Sequence, residues 1–136
     1  PPGVQLTIVS GRSHDVMAAA DTVLVASGTA TLEAALMKRP MVIAYRVAWL
    51  SYRIMKRMAY LPWIGLPNIL CGDTVVPEFI QHDVRPEAMG EALLRQLDDD
   101  ARRDAIVARF ADLHGQLRRD CAARAAETIL ELADER

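Results

Sequence analysis

Cysteine is nearly absent. The two thiols, Cys71 and Cys121, lie far apart and form no CxxC pair. A structural zinc needs about four ligands, and His14, His82 and His114 are as scattered as the thiols. Both cysteines are therefore expected reduced, with no metal and no other cofactor, as in a cytosolic protein. No run of ~18 apolar residues occurs, which excludes a spanning helix, and no signal peptide is recognisable. Net charge is lacking too: 16 basic against 18 acidic residues leave −2. Nothing global points to nucleic acid, so any attraction to an anionic surface must come from local clustering. An initiator Met is also missing. The opening Pro1-Pro2-Gly3 reads as an interdomain linker, so the chain is expected to be part of a longer protein.

What is present is ordinary for one soluble globular domain: 136 residues, 51% hydrophobic and 25% charged. Residues 5–9 (QLTIV) form a β-rich run closed by Ser10-Gly11. Residues 14–20 read as a helix capped by Ser13. Residues 21–26 (DTVLVA) are almost continuously apolar, the pattern of a strand buried on both faces of a parallel sheet. Gly28 and its neighbours turn the chain into a helix over 30–38, which Pro40 ends, and 41–45 (MVIAY) is a further buried strand. Strand and helix alternating with short loops predicts a doubly wound α/β unit. Ligands of such sheets bind outside the carboxyl ends of the strands, here the loops that begin at Ser10, Ser27 and Arg46.

The second half is helical. Residues 48–61 predict a helix, Pro62 and Pro67 break the chain, and 75–81 read as a short helix. Pro86 at a first helical position opens a helix to about residue 97. Residues 101–133 read as one long helix or two, with a stripe of Ile106, Phe110, Leu113, Leu117, Ile129 and Leu132.

The turn at Ser27 joins a strand to a helix. The first N–H groups of a helix lack internal partners and carry partial positive charge, which favours an anion. Gly28 allows close backbone approach, and Ser27, Thr29 and Thr31 add hydroxyls. Glu33 would repel a phosphate but can reach sideways to the two hydroxyls of a ribose. Spacing alone favours plain helix capping, with Glu33 favouring the dipole. The loop lacks the dinucleotide glycine fingerprint and the P-loop lysine. Asn68, following Pro67, is by itself a turn residue.

Taken together, Ser27-Gly28-Thr29-Ala30-Thr31-Leu32-Glu33-Ala34, then Pro40-Met41-Val42 with Tyr45-Arg46, then Leu66-Pro67-Asn68, resemble the lipid-A-disaccharide synthases over essentially the whole chain. The upstream Met17-Ala18-Ala19-Ala20-Asp21 fits in the same order. The resemblance implies a Rossmann-like parallel sheet with helices, the C-terminal half of a GT-B glycosyltransferase, with a helical C-terminal extension. It implies that residues 1–136 are the UDP-sugar donor domain and that an N-terminal acceptor domain is absent. The implied reaction is an inverting, metal-independent hexosyl transfer. It joins UDP-2,3-diacylglucosamine to 2,3-diacylglucosamine 1-phosphate, giving lipid A disaccharide 1-phosphate and UDP.

By the same resemblance, Ser27, Gly28, Thr29, Ala30 and Thr31 would hold the diphosphate and Glu33 the ribose. Gly11 would lie against the uracil, Tyr45 and Arg46 belong to the binding motif, and Asn68 matches a position needed for activity. Arg46 or Lys56 could stabilise the departing diphosphate. The general base is expected in the missing domain, and the fragment alone is expected to be inactive. Other UDP-sugar transferases of the same fold, UDP-sugar epimerases and a non-catalytic nucleotide-binding module remain as alternatives.

Both Trp and all three Tyr fall between Tyr45 and Trp63, interleaved with Arg46, Arg53, Lys56 and Arg57. A helix there places Arg53, Lys56 and Arg57 with Trp49 and Tyr60, beside an apolar face of Leu50, Ile54, Met58 and Leu61. That face either packs on the sheet or meets a bilayer. The diacylated substrates imply a peripheral place on the cytoplasmic side of the inner membrane. The terminal stripe is read as core packing or, with the partner domain absent, as a surface for homo-oligomerisation.

Overall fold

The computed structural model describes residues 3–26, 28–58, 60–118 and 121–134. The elements follow in the order α1 (Ser13–Ala19), β1 (Val23–Ala26), α2 (Thr29–Leu36), β2 (Met41–Tyr45), α3 (Trp49–Met58), α4 (Leu66–Cys71), β3 (Glu78–Ile80), a 3-10 turn (Gln81–Asp83), α5 (Pro86–Asp98), α6 (Asp100–Leu117) and α7 (Cys121–Asp134). The three strands form one parallel sheet in the order β1-β2-β3.

β2 is central because its sequence permits burial on both faces. Met41, Val42 and Ile43 are almost wholly excluded from solvent. Met41 and Ile43 enter a cluster with Met17, Ala34, Ala35, Val76, Ile106 and Phe110. Successive side chains alternate across a strand, so Val42 serves the other face, where α5 packs on β2. Small Ala34 and Ala35 let α2 approach the sheet and α6 closely. One buried polar group ties the layers: Gln96 Nε2 donates to Met41 O at 2.8 Å, and Gln96 Oε1 accepts from the Thr22 hydroxyl at 2.7 Å. That amide fixes α5 to the amino ends of β1 and β2 together.

The helix boundaries have local causes. α2 ends where Lys38 turns into the left-handed region (φ 57), with Lys38 N donating to Ala35 O and Arg39 N to Ala34 O. Such a turn satisfies carbonyls at a helix end, and Pro40 prevents continuation. α5 starts with Pro86 in its first turn. Asp99, just before the first residue of α6, caps that helix: its carboxylate accepts from Arg102 N at 2.9 Å. The terminal helical region is two helices, α6 and α7, rather than one.

Four local expectations are corrected. Residues 5–9 form no strand, and Val4, Leu6 and Ile8 are 69%, 83% and 87% exposed. A β-prone run is not a strand until a partner accepts its backbone bonds, and none does so among the described residues. Residues 75–81 hold β3 instead of a helix; Pro77 offers no N–H, and the β-branched and aromatic neighbours suit the edge of β2. α1 is entered through Arg12, with no side-chain cap, and Ser13 is already helical. β1 is not buried on both faces: Leu24 is 50% exposed, because α2 packs on the opposite face, that of Val23 and Val25.

Candidate functional site

Parallel pairing brings the strand ends to one edge. Ala26 pairs with Ala44, and Tyr45 with Ile80. The chain therefore leaves β1 towards Gly28, β2 towards Arg46 and β3 towards Gln81 along the same rim. Gly28 has φ 132 and ψ −164, a region that only glycine occupies without strain. A Cβ there would touch nothing within 4 Å, so the requirement is purely one of backbone.

Gly28 is also the residue before the first turn of α2, and it has no side chain with which to cap it. Its carbonyl accepts from Thr31 N at 3.1 Å and from the Thr31 hydroxyl at 2.7 Å. Thr31 is fully buried, so its hydroxyl sets the loop from inside. Gly28 and Thr29 are exposed and Ala30 is half-buried. Ser27 lies outside the described residues. The result is a helix N-terminus at the carboxyl edge of a parallel sheet, with exposed backbone in front of it. Backbone N–H groups in such a place are suited to an anion.

Glu33 stands one turn into α2, half-buried. Its Oε2 lies 3.1 Å from Nε2 of His14, across from α1. This contact draws the start of α1 against α2, and with it the exposed turn at Gly11, whose φ is 71. The three loops expected to form a site are thus on one side of the molecule.

Tyr45 is half-buried and Arg46 exposed at the end of β2. The side chain of Lys56 is outside the described residues. Immediately after Arg46, Val47 is held by the Gln81 amide: Val47 N donates to Gln81 Oε1 at 2.9 Å, and Gln81 Nε2 donates to Val47 O at 3.0 Å.

Asn68 is fully buried in the first turn of α4, so the Pro67-Asn68 pair begins a helix rather than shaping a loop. Its Nδ2 donates to Val76 O and Glu78 Oε1, both at 2.8 Å, and its Oδ1 accepts from Val75 N at 2.9 Å and Val76 N at 3.0 Å. Glu78 Oε2 accepts from Ile64 N at 2.8 Å and its Oε1 from Gly65 N at 3.0 Å. A Cβ at Gly65 would run into the Ile43 side chain and approach Glu78 Oε1 to 2.9 Å, so glycine is needed for the close approach. Asn68 therefore fastens α4 to β3 through its whole hydrogen-bonding capacity.

Glu78, Gln81 and His14 were not anticipated from the sequence. One signal for the first was available. Residues 34–72 contain six cations (Lys38, Arg39, Arg46, Arg53, Lys56, Arg57) and none of the 18 acidic residues, which draws notice to the acids that follow, although the Glu78 carboxylate takes backbone N–H groups and the Asn68 amide. Gln81 and His14 carried no comparable signal.

α3 carries the basic and aromatic surface. The Arg53 guanidinium sits 4.9 Å from the centre of the Trp49 ring. Trp49 and Leu50 are 63% and 64% exposed, and Tyr60 is wholly exposed. The helix face at Trp49 and Leu50 is not packed on the sheet; the side chains of Ile54 and Met58 are outside the described residues. Among the described residues no helix is long and apolar enough to cross a membrane.

These features define a class: an α/β domain whose parallel sheet brings the loops after its strands to one rim. Within that class, the lipid-A-disaccharide synthetase family model matches residues 2–131, and the chain belongs to that family, glycosyltransferases of lipid A biosynthesis with the GT-B fold. It is 53% identical over 135 residues to the lipid-A-disaccharide synthase of Burkholderia vietnamiensis, covering 99% of this chain and 35% of that protein. The synthases of Burkholderia mallei and Burkholderia pseudomallei are 52% identical over 135 residues, with the same coverage of each chain. The chain thus spans about a third of the length of the curated relatives it matches.

Proposed function

We propose that these 136 residues form the donor-binding domain of a lipid-A-disaccharide synthase, and that the rim at Gly28 receives the diphosphate of UDP-2,3-diacylglucosamine. The acceptor is 2,3-diacylglucosamine 1-phosphate, and the products are lipid A disaccharide 1-phosphate and UDP. The observation that carries this reading is the N-terminus of α2, entered through a glycine-only backbone at the carboxyl edge of the sheet, with Glu33 one turn behind it.

As the glycosidic bond breaks, negative charge grows on the departing diphosphate. The α2 amides and Arg46 stabilise that charge in place and need no rearrangement as it develops. Ser27, Thr29 and Ala30 line the diphosphate, and Thr31 holds the loop in shape. Glu33 accepts from the ribose hydroxyls, Gly11 flanks the base, and Tyr45 borders the sugar. Asn68 supports the site through Glu78 and the entry to α4. The base that deprotonates the acceptor hydroxyl belongs to the part of the relatives' length that this chain does not span, so the chain alone binds donor without turning it over.

Calorimetric titration tests the reading. UDP should bind the chain, and 2′-deoxy-UDP should bind more weakly. Glu33→Ala should erase the difference between the two, because the hydroxyl loses its acceptor. Equal affinities for the two nucleotides in the unsubstituted chain would remove Glu33 from the ribose, and no UDP binding would remove the donor site.

The acid-free stretch, with Trp49, Arg53, Arg57 and Tyr60 exposed on or beside α3, supports a second role. This surface seats the protein on an anionic bilayer, peripherally and on the cytoplasmic face of the inner membrane, where diacylated substrates reside.

A further inference from the structure

β3 is only three residues long, yet it and the residue after it hold both ends of the excursion that carries α3. At the far end, Glu78 binds the N–H groups of Ile64 and Gly65. At the near end, Gln81 binds Val47 through both its N–H and its C=O. The last backbone pair of β2 and β3 is Tyr45 with Ile80. The Gln81 amide continues that ladder by one rung, with a side chain taking the place of a main chain.

The backbone at Gln81 shows what this rung requires. Its φ is 53, a left-handed conformation that suits glycine or asparagine and strains a longer L residue. A glutamine kept there, 7% exposed, directs a buried amide that has two partners and meets both on one residue. Buried polar groups paired in this way fix geometry. The residue so fixed directly follows Arg46, and Ala48, next along, accepts from Tyr52 N at 3.0 Å as α3 begins.

We infer that Gln81 is a positioning residue for the donor diphosphate, acting through Val47 to hold Arg46 at the rim beside the Gly28 loop. This rests on the donor-site reading above. Gln81 touches no substrate. It removes the freedom of the chain that leaves β2, so that the guanidinium is in place before the nucleotide arrives. Preorganisation of this kind is sensitive to small displacements: a shift of about 1 Å can cost up to ~100-fold.

A double-mutant cycle on the 136-residue chain tests this, reading UDP affinity by calorimetry and exchange of the Val47 amide proton by NMR. Gln81→Met keeps the length and apolar stem but loses both hydrogen bonds. It should speed Val47 exchange and weaken UDP roughly tenfold, within that range. In an Arg46→Ala background the same change should weaken UDP less than about twofold, because the group it positions is gone. Losses that multiply in the double variant would mean that Gln81 acts by general stability, which overturns the inference and leaves the donor site standing. Arg46→Ala with unaltered UDP affinity would overturn both the inference and the role given to Arg46. Should Gln81→Met unfold the chain, Gln81→Glu carries the same comparison: it keeps the acceptor for Val47 N–H and sets a carboxylate oxygen against Val47 O. Restored affinity in Gln81→Glu would count against the inference, since the donated bond would then be dispensable.

Discussion

At the scale of the residue, Asn68 and Gly28 show two ways in which a single position is fixed. The Asn68 amide meets four partners in a place without water. Replacing it by alanine strands the Val76 N–H and carbonyl and removes one bond to Glu78, while Val75 N keeps its bond to Asp73 O. Unsatisfied buried groups cost about 1–3 kcal/mol each, and partial relaxation leaves an expected loss near 3 kcal/mol for Asn68→Ala. Urea unfolding should show a lower midpoint with an unchanged slope. A loss of UDP binding with full stability retained would instead make Asn68 a ligand-contacting group. Gly28 differs, because nothing crowds it and the backbone alone demands glycine. Gly28→Ala should cost roughly 1–3 kcal/mol of strain and deform the turn proposed to receive the diphosphate. Crystallography or chemical shifts confined to residues near 28 would check that the damage is local. The glycine was legible in the sequence as a turn, but not its backbone conformation. Asn68 was legible only through its motif, since Pro-Asn equally starts a turn, and burial by Val76 and Glu78 depends on contacts the sequence does not write down.

At the scale of the element, legibility followed how much of the outcome was local. β2 was readable in full because MVIAY needs burial on both faces and the centre of a sheet supplies it. α5 was readable from Pro86 onward because its start signal is local. β3 was not, because three residues carry no period and only the edge of β2 makes them a strand. The run at 5–9 failed for the opposite reason: its propensity is strong, but no partner strand takes it up among the described residues. α3 was readable as an amphipathic helix, and the open question was what its faces meet. Exposure of Trp49 and Leu50, with Arg53 stacked on the indole, answers that the sheet does not cover that face. Each exposed cation near an anionic surface contributes about 1 kcal/mol, and an interfacial Trp adds to that. Trp49→Ser with Arg53→Ser should therefore weaken binding to anionic vesicles roughly tenfold, with the remaining binding reduced by salt. Vesicle co-sedimentation measures this, and unchanged binding by the double variant would assign α3 another partner.

At the scale of the molecule, the core formed by the described residues ends before α7. Its members run from Met17 to Phe110, with Leu113 buried just beyond. Leu117 is already 40% exposed, and in α7 Ile129 and Leu130 are 66% and 65% exposed. The apolar stripe expected along the terminal helices is thus core as far as Leu113 and surface beyond, with the side chain of Leu132 outside the described residues. An amphipathic helix with its described apolar groups in water gains by covering them, and a second copy of the same chain offers an identical face. We expect α7 to mediate self-association while adding little to the stability of the fold. A chain ending at Arg118 should unfold within about 4 °C of the full 136 residues, since a change of 1 kcal/mol shifts a domain of this size by only a few degrees. Light scattering should show the full chain growing in mass with concentration and the truncated chain remaining monomeric. A fall of more than ~10 °C in the truncated chain would correspond to several kcal/mol, and would place α7 against its own core rather than against a partner.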